Sequence, residues 1–168
     1  MSTALPNPTG PIITLDSAAI STGLAASRIN PRKRIILPLQ RSQSARVQRL
    51  ANFLQPGTYI QPHCHPEPHA TESVTLIHGR LEILHFSESG QILARWTLEE
   101  NGTRVIDIEP RTWHGMIVHQ KDTIIFEVKQ GPYDPTRDKT FAPWAPAESD
   151  PQAPAYLKSL TADGSESC

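Results

Sequence analysis

Apolar and polar residues alternate in short runs through the middle of this chain, and almost every run ends in a turn signal. Arg46 to Leu54 stops at Gln55-Pro56-Gly57, Thr58 to His63 runs into Pro66-Glu67-Pro68, and Ser73 to Ile77 turns at His78-Gly79. Leu81 to Phe86 ends at Ser87-Glu88-Ser89-Gly90. Ile92, Ala94, Trp96 and Leu98 then alternate with polar neighbours as far as Asn101-Gly102, a strong hairpin signal. Arg104 to Ile108, Trp113 to Val118 and Thr123 to Val128 complete a set of about eight strands. Short runs at such regular spacing predict an all-β antiparallel sandwich or barrel over residues 44–130.

The flanks read differently. Residues 1–43 combine Pro6, Pro8, Gly10 and Pro11 with a short helix expected from the N-cap Asp16 to about Ala26, and with a strand candidate from Ile35 to Leu39. This is an arm or cover. Residues 131–148 are too rich in proline for a central strand or long helix, yet they carry Tyr133, Phe141 and Trp144. Large aromatics between prolines predict a strap laid against the barrel. Residues 149–168, rich in Ser, Asp, Ala and Gly, are expected to form a mobile tail.

The chain has 168 residues, enough for one domain with a sizeable core. Sixteen Lys plus Arg face 17 Asp plus Glu, and no basic block exceeds Arg32-Lys33-Arg34, so nucleic acid is not an expected partner. Two cysteines, Cys64 and Cys168, make a disulfide framework a poor reading. The first ten residues lack a basic start and an apolar run, and no stretch approaches the roughly 18 apolar residues of a membrane span. The expectation is a cytoplasmic protein without a membrane partner.

Chemistry concentrates at His63-Cys64-His65, followed by Glu72 and later by His114. Side chains two apart on a strand share a face, so His63 and His65 point together while Cys64 points away as a small buried hydrophobe. A carboxylate from the next strand and a third imidazole from a distant one would complete a set of three nitrogens and one oxygen around a divalent cation. Glu67 competes with Glu72 for the carboxylate position, but its flanking prolines place it in a loop. Tyr59 and Gln61 share the parity of His63 and are expected as pocket residues, unless Tyr59 merely fills the barrel. His69, His78, His85 and His119 read as ordinary surface or loop histidines. Arg80, Arg111, Lys129 and Tyr133 can hold an anionic or sugar-like ligand, or equally form surface ion pairs.

Gly57, His63-Cys64-His65, Glu72 and Gly79 together resemble the first motif of the cupins, and Pro110-Arg111-Thr112-Trp113-His114 resembles the second. The run from Glu127 through Lys129-Gln130-Gly131-Pro132-Tyr133-Asp134 to Asp138-Lys139-Thr140-Phe141-Ala142-Pro143-Trp144-Ala145-Pro146 is similar to the WbuC family of cupin-fold metalloproteins. The resemblance covers roughly residues 32–148 and implies a single double-stranded β-helix, a jelly-roll barrel, with His63, His65, Glu72 and His114 as metal ligands. Six residues separate His65 from Glu72, more than the usual cupin gap, and the second motif lacks its middle Gly and final Asn.

The resemblance also implies a setting in bacterial O-antigen and lipopolysaccharide synthesis, hence a small polar ligand of sugar or nucleotide-sugar type, and a homodimer. The metal, whether Fe, Mn, Ni, Zn or Cu, is not distinguished by imidazole and carboxylate donors. Two functions follow: a metal-dependent isomerase or oxygenase, or a non-catalytic binding or sensing module that uses the metal for recognition. No general acid or base stands out beside the ligands.

Overall fold

The computed structural model describes residues 2–162. Cys168 and the last residues of the expected tail lie outside them. In chain order the elements are α1 (Ser17–Ile29), β1 (Arg34–Pro38), β2 (Val47–Leu54), β3 (His63–Cys64), β4 (Glu72–His78) and β5 (Arg80–Phe86). Then come β6 (Ile92–Glu99), β7 (Val105–Ile108), β8 (Trp113–Val118), β9 (Thr123–Gln130), β10 (Thr140–Phe141) and α2 (Ala153–Ala162). The strands form two five-stranded sheets, β1-β2-β9-β4-β7 and β10-β3-β8-β5-β6, and every named strand pairing is antiparallel. The fold is an all-β jelly-roll barrel with a short helix at each end.

Three apolar clusters explain why several strands read as near-continuous hydrophobic runs. Leu54, Val74, Leu76, Leu81, Ile83, Leu98, Ile108, Val118 and Ile125 come from both sheets and fill the space between them. On the outer face of the first sheet, Ala51, Phe53 and Ile124 pack against Ile20 and Leu24 of α1. On the outer face of the second, Leu84, Phe86 and Ile117 pack against Trp144, Tyr156, Leu157 and Leu160. Adjacent residues such as Ile83 and Leu84, or Ile124 and Ile125, are therefore buried on opposite faces.

The helix at the N-terminal side starts where expected, with the Asp16 carboxylate accepting from the Ala19 amide, and it extends three residues past Ala26. Gly23 lets α1 approach β2, since a Cβ there would lie 2.3 Å from the Phe53 ring. Two expectations need correction. The stretch 149–168 is not simply a tail: α2 forms within it, because Tyr156, Leu157 and Leu160 supply one apolar stripe that seats on the second sheet. The expected strand Thr58 to His63 shrinks to His63–Cys64, because the residues before it turn their side chains to the strap. The candidate exchange strand near Ile35 pairs within the chain, register Ile35 to Phe53.

Candidate metal centre

β3 and β8 lie side by side with His63 directly opposite His114, and directly opposite residues present their side chains on one face. β4 brings Glu72 from the other sheet. The donor atoms of His63, His65, Glu72 and His114 all lie within 4.8 Å of one another, and each of the four residues is 3% exposed. This is the one such group among the described residues. Glu67 is left outside it, half-buried and paired to Arg137 at 2.7 Å.

The imidazoles are oriented by backbone carbonyls. Nδ1–H of His63 donates to the Gln61 carbonyl at 2.9 Å, that of His114 to the Thr112 carbonyl at 2.9 Å, and that of His65 to the Asp138 carbonyl. A carbonyl can only accept, so Nδ1 carries the proton in all three rings and a neutral ring presents a bare Nε2 lone pair to the centre. Histidines that ligate metals are commonly held by such a bond from the other ring nitrogen. Nε2 of His63 is buried and has no hydrogen-bond partner. Oε2 of Glu72 lies 2.9 Å from Nε2 of His65 and 3.2 Å from Nε2 of His114. Lone pairs from a carboxylate and two neutral imidazoles repel at such distances unless a cation lies between them. The donor set fits a divalent metal ion.

Electrostatics agree. His63 is held well below the usual imidazole value by burial first, then by the charge of Lys139. His63 therefore stands in the unprotonated form that ligation requires.

A second polar set lies next to the ligands on the first sheet; the sequence reading named only its Lys129, as an anion-binding or surface residue, and the side chain is instead buried. Glu127 and Lys129 share a face of β9 with Ile125, and Lys129 stands directly opposite Glu72 on β4. Both are buried, Asn52 donates to Glu127 Oε2 at 3.1 Å, and Lys129 Nζ is 2.7 Å from Asp138. The Glu127 carboxyl is pushed up to about 7 by burial and by the neighbouring Glu72, against the pull of Lys129 and Lys139. The available signal was the alternation itself: Ile125, Glu127 and Lys129 continue one inward-facing row that turns from apolar to charged.

Other expectations resolve on geometry. Tyr59 and Gln61 are not pocket residues by parity, since no strand runs through them; the Tyr59 hydroxyl donates to the Pro146 carbonyl and the Gln61 amide to those of Ala142 and Ala145. They anchor the strap. His85 is not an ordinary surface histidine: it lies directly opposite His114 across β5 and β8, half-buried, with its ring stacked on Trp96. His78 pairs with Glu100 at 2.8 Å and His119 lies 3.4 Å from Glu82, both away from the centre. Cys64 is buried, and Trp113 packs outward against Trp144.

A jelly-roll barrel whose interior holds three imidazoles and one carboxylate is a cupin-fold protein with a metal-type centre. A family model described as Domain of unknown function (DUF6016) matches residues 15–98, from just before α1 to β6, and the chain belongs to that family. The match contains His63, His65 and Glu72 and stops short of His114. No curated protein matches the chain. Among solved structures, it is similar to oxalate decarboxylase from Bacillus subtilis at 15% identity, covering 58% of this chain and 24% of that one, TM-score 0.47. It is also similar to the capsular polysaccharide assembling protein CapF from Staphylococcus aureus, at 18% identity over 64% of this chain and 27% of that one, TM-score 0.49. A third likeness is the conserved SPY1581 protein of unknown function from Streptococcus pyogenes, at 15% identity, 62% and 80% coverage and TM-score 0.47. The chain spans about a quarter of the length of the oxalate decarboxylase and of CapF. Among the described residues no helix is long and apolar enough to cross a membrane.

Proposed function

We propose that the protein is a metal-dependent cupin that takes one small polar molecule, of sugar or nucleotide-sugar type, at the His63, His65, Glu72 and His114 centre. The observation that carries the metal is the Glu72 oxygen held between two imidazole nitrogens whose protons are committed elsewhere. Once bound, the ion supplies Lewis acidity toward an oxygen of the ligand. The chain's own residues do the rest: carbonyls of Gln61, Asp138 and Thr112 fix the rings, and Glu127 places a second buried carboxyl beside the ligand set. A carboxyl of this kind can carry a proton to or from a polar ligand, which favours an enzyme over the alternative, a non-catalytic binding or sensing module.

The carbohydrate assignment, the O-antigen setting and the WbuC kinship rest on the strap residues between Glu127 and Pro146. A homodimer in the cytoplasm completes the reading, supported by the exposed Leu93 and Val105 on strands β6 and β7, each the outer strand of its sheet. The test begins with elemental analysis of tag-free protein: one ion per chain in the parent and none in His63→Ala is expected. Metal-loaded protein is then screened with sugar nucleotides for thermal shift and turnover. Turnover lost in His114→Ala supports the enzyme, and a shift without turnover the binding module. An ion content unchanged by His63→Ala ends the proposal.

A further inference from the structure

We propose that Lys129 is a positioning residue for His65, acting through Asp138 to bind the C-terminal strap to the metal centre. This rests on the reading of the four-residue cluster as a metal site and extends it to a residue that touches none of the ligand rings.

The geometry runs in one line. Lys129 lies on β9 directly opposite Glu72 and is 5% exposed, yet its ammonium is not spent on the donor cluster. Nζ reaches both carboxylate oxygens of Asp138, at 2.7 and 2.9 Å, and is 3.9 Å from Glu127. The backbone carbonyl of that same Asp138 accepts the Nδ1–H of His65. Two residues on, Thr140 and Phe141 form β10 and pair with Cys64 and His63. The strap thus enters the centre at Asp138, and Lys129 holds it there from the opposite sheet. A cavity of about 270 Å³ adjoins His65, Lys129 and Asp138. Close packing does not fix the His65 ring on that side; the charged latch does.

A buried lysine is costly unless paired. Positioning and plain electrostatics also make opposite forecasts. Removing a cation beside a divalent ion should tighten metal binding, whereas removing a latch that aligns one of its ligands should weaken it. Losing a partner that orients a ligating histidine typically costs about 10–100-fold in affinity.

Co(II) is the probe, used with the full chain, its affinity read by chelator competition and its ligand geometry by the visible absorption spectrum. The parent is expected to bind one Co(II). Lys129→Met is expected to bind it about 10–100-fold more weakly with an altered spectrum, and Lys129→Arg to restore both. Trypsin digestion of the metal-free proteins supplies a second readout, because Arg137 is exposed and immediately precedes Asp138. Cleavage after Arg137 is expected to be faster in Lys129→Met than in the parent. If Lys129→Met fails to fold, Lys129→Gln carries both measurements. Equal or tighter Co(II) binding in the variant, or cleavage no faster than in the parent, overturns the latch alone. A parent chain that binds no Co(II) overturns the centre itself.

Discussion

Replacing Glu72 by glutamine is the most searching test of the centre, because it is expected to stabilise the metal-free protein and cripple the metal-bound one. In the parent, Oε2 faces Nε2 of His65 at 2.9 Å and of His114 at 3.2 Å, while both rings donate from Nδ1 to carbonyls. With those two protons committed to carbonyls, three acceptors converge without a proton to share. A carboxamide turned with its NH2 group in the place of Oε2 offers one N–H to each ring. Two new hydrogen bonds at about 1 kcal/mol net each give a gain of about 2 kcal/mol. For a domain of this size that corresponds to a rise of roughly 4–8 °C in Tm.

Metal reverses the order. A ligand at about 100 times its Kd stabilises the native state by about 2.7 kcal/mol, a gain open to the parent and largely closed to Glu72→Gln, since a neutral amide is a poor metal ligand. Thermal melts of both proteins, in chelator and in a titration of Co(II) or Zn(II), should therefore cross: variant above parent without metal, parent above variant with it. A variant less stable than the parent in chelator would show that the carboxylate is held by charged imidazoles, and the argument from lone pairs fails. An equal gain from metal in both proteins would remove Glu72 from the ligand set.

Three further outcomes test the scaffold. Gly79 has φ +94 and a Cβ there would meet Thr123 Oγ1 at 2.4 Å and Thr123 Cα at 2.8 Å. Gly79→Ala is therefore expected to destabilise by about 3 kcal/mol, from backbone strain plus overpacking, in urea melts. Leu160→Ala should cost about 2 kcal/mol and speed amide exchange within α2 while leaving that of β2 and β9 unchanged. The Asp122 carboxyl is held down at about 2 by its bond from Arg28, against burial, with Gln55 adding a second bond. A depressed carboxyl stabilises above its unfolded value and loses that contribution as pH falls, so the parent should lose stability from about pH 4 downward more steeply than Asp122→Asn. Parallel acid profiles of the two would refute the assignment.

Alternation made most of the barrel legible. Trp113 to Val118 is a strand to the residue, and β4, β5 and β9 differ from expectation by one or two residues at an end, because apolar residues bounded by glycine or proline leave few other solutions. The grouping of the candidate donors was legible for the same reason, since strand parity puts His63 and His65 together. What escaped was whatever depends on distant partners. Tyr59 and Gln61 follow the strap instead of the parity of β3, because backbone carbonyls at Ala142, Ala145 and Pro146 needed donors. Helix α2 escaped because its polar sequence shows one narrow apolar stripe. Its start was nonetheless signalled by Asp150, whose carboxylate accepts from the Gln152 amide.

The interior of the barrel changes from apolar to polar along five of its strands, and that change is the strongest sequence-borne mark of function. Leu54 gives way to Asn52 on β2, Ile125 to Glu127 and Lys129 on β9, and Val74 to Glu72 on β4. On the facing sheet, Val118 and Met116 give way to His114 on β8, and Ile83 to His85 on β5. Each step moves two residues along a strand and keeps the same face, so no change of register is involved. A barrel built for stability alone would continue the apolar rows, because buried charged groups cost several kcal/mol each before pairing. Five strands making the same kind of substitution on the same inner face, within about two residues of one another in register, cannot be attributed to local propensity, for any one of them could carry leucine or valine there. The polar layer is thus a single feature assembled by all five, and its components are expected to couple. Glu127→Gln and His114→Ala, destabilising or not alone, should depart from additivity when combined. Their additive behaviour in urea melts of metal-free protein would break the layer into unrelated sites.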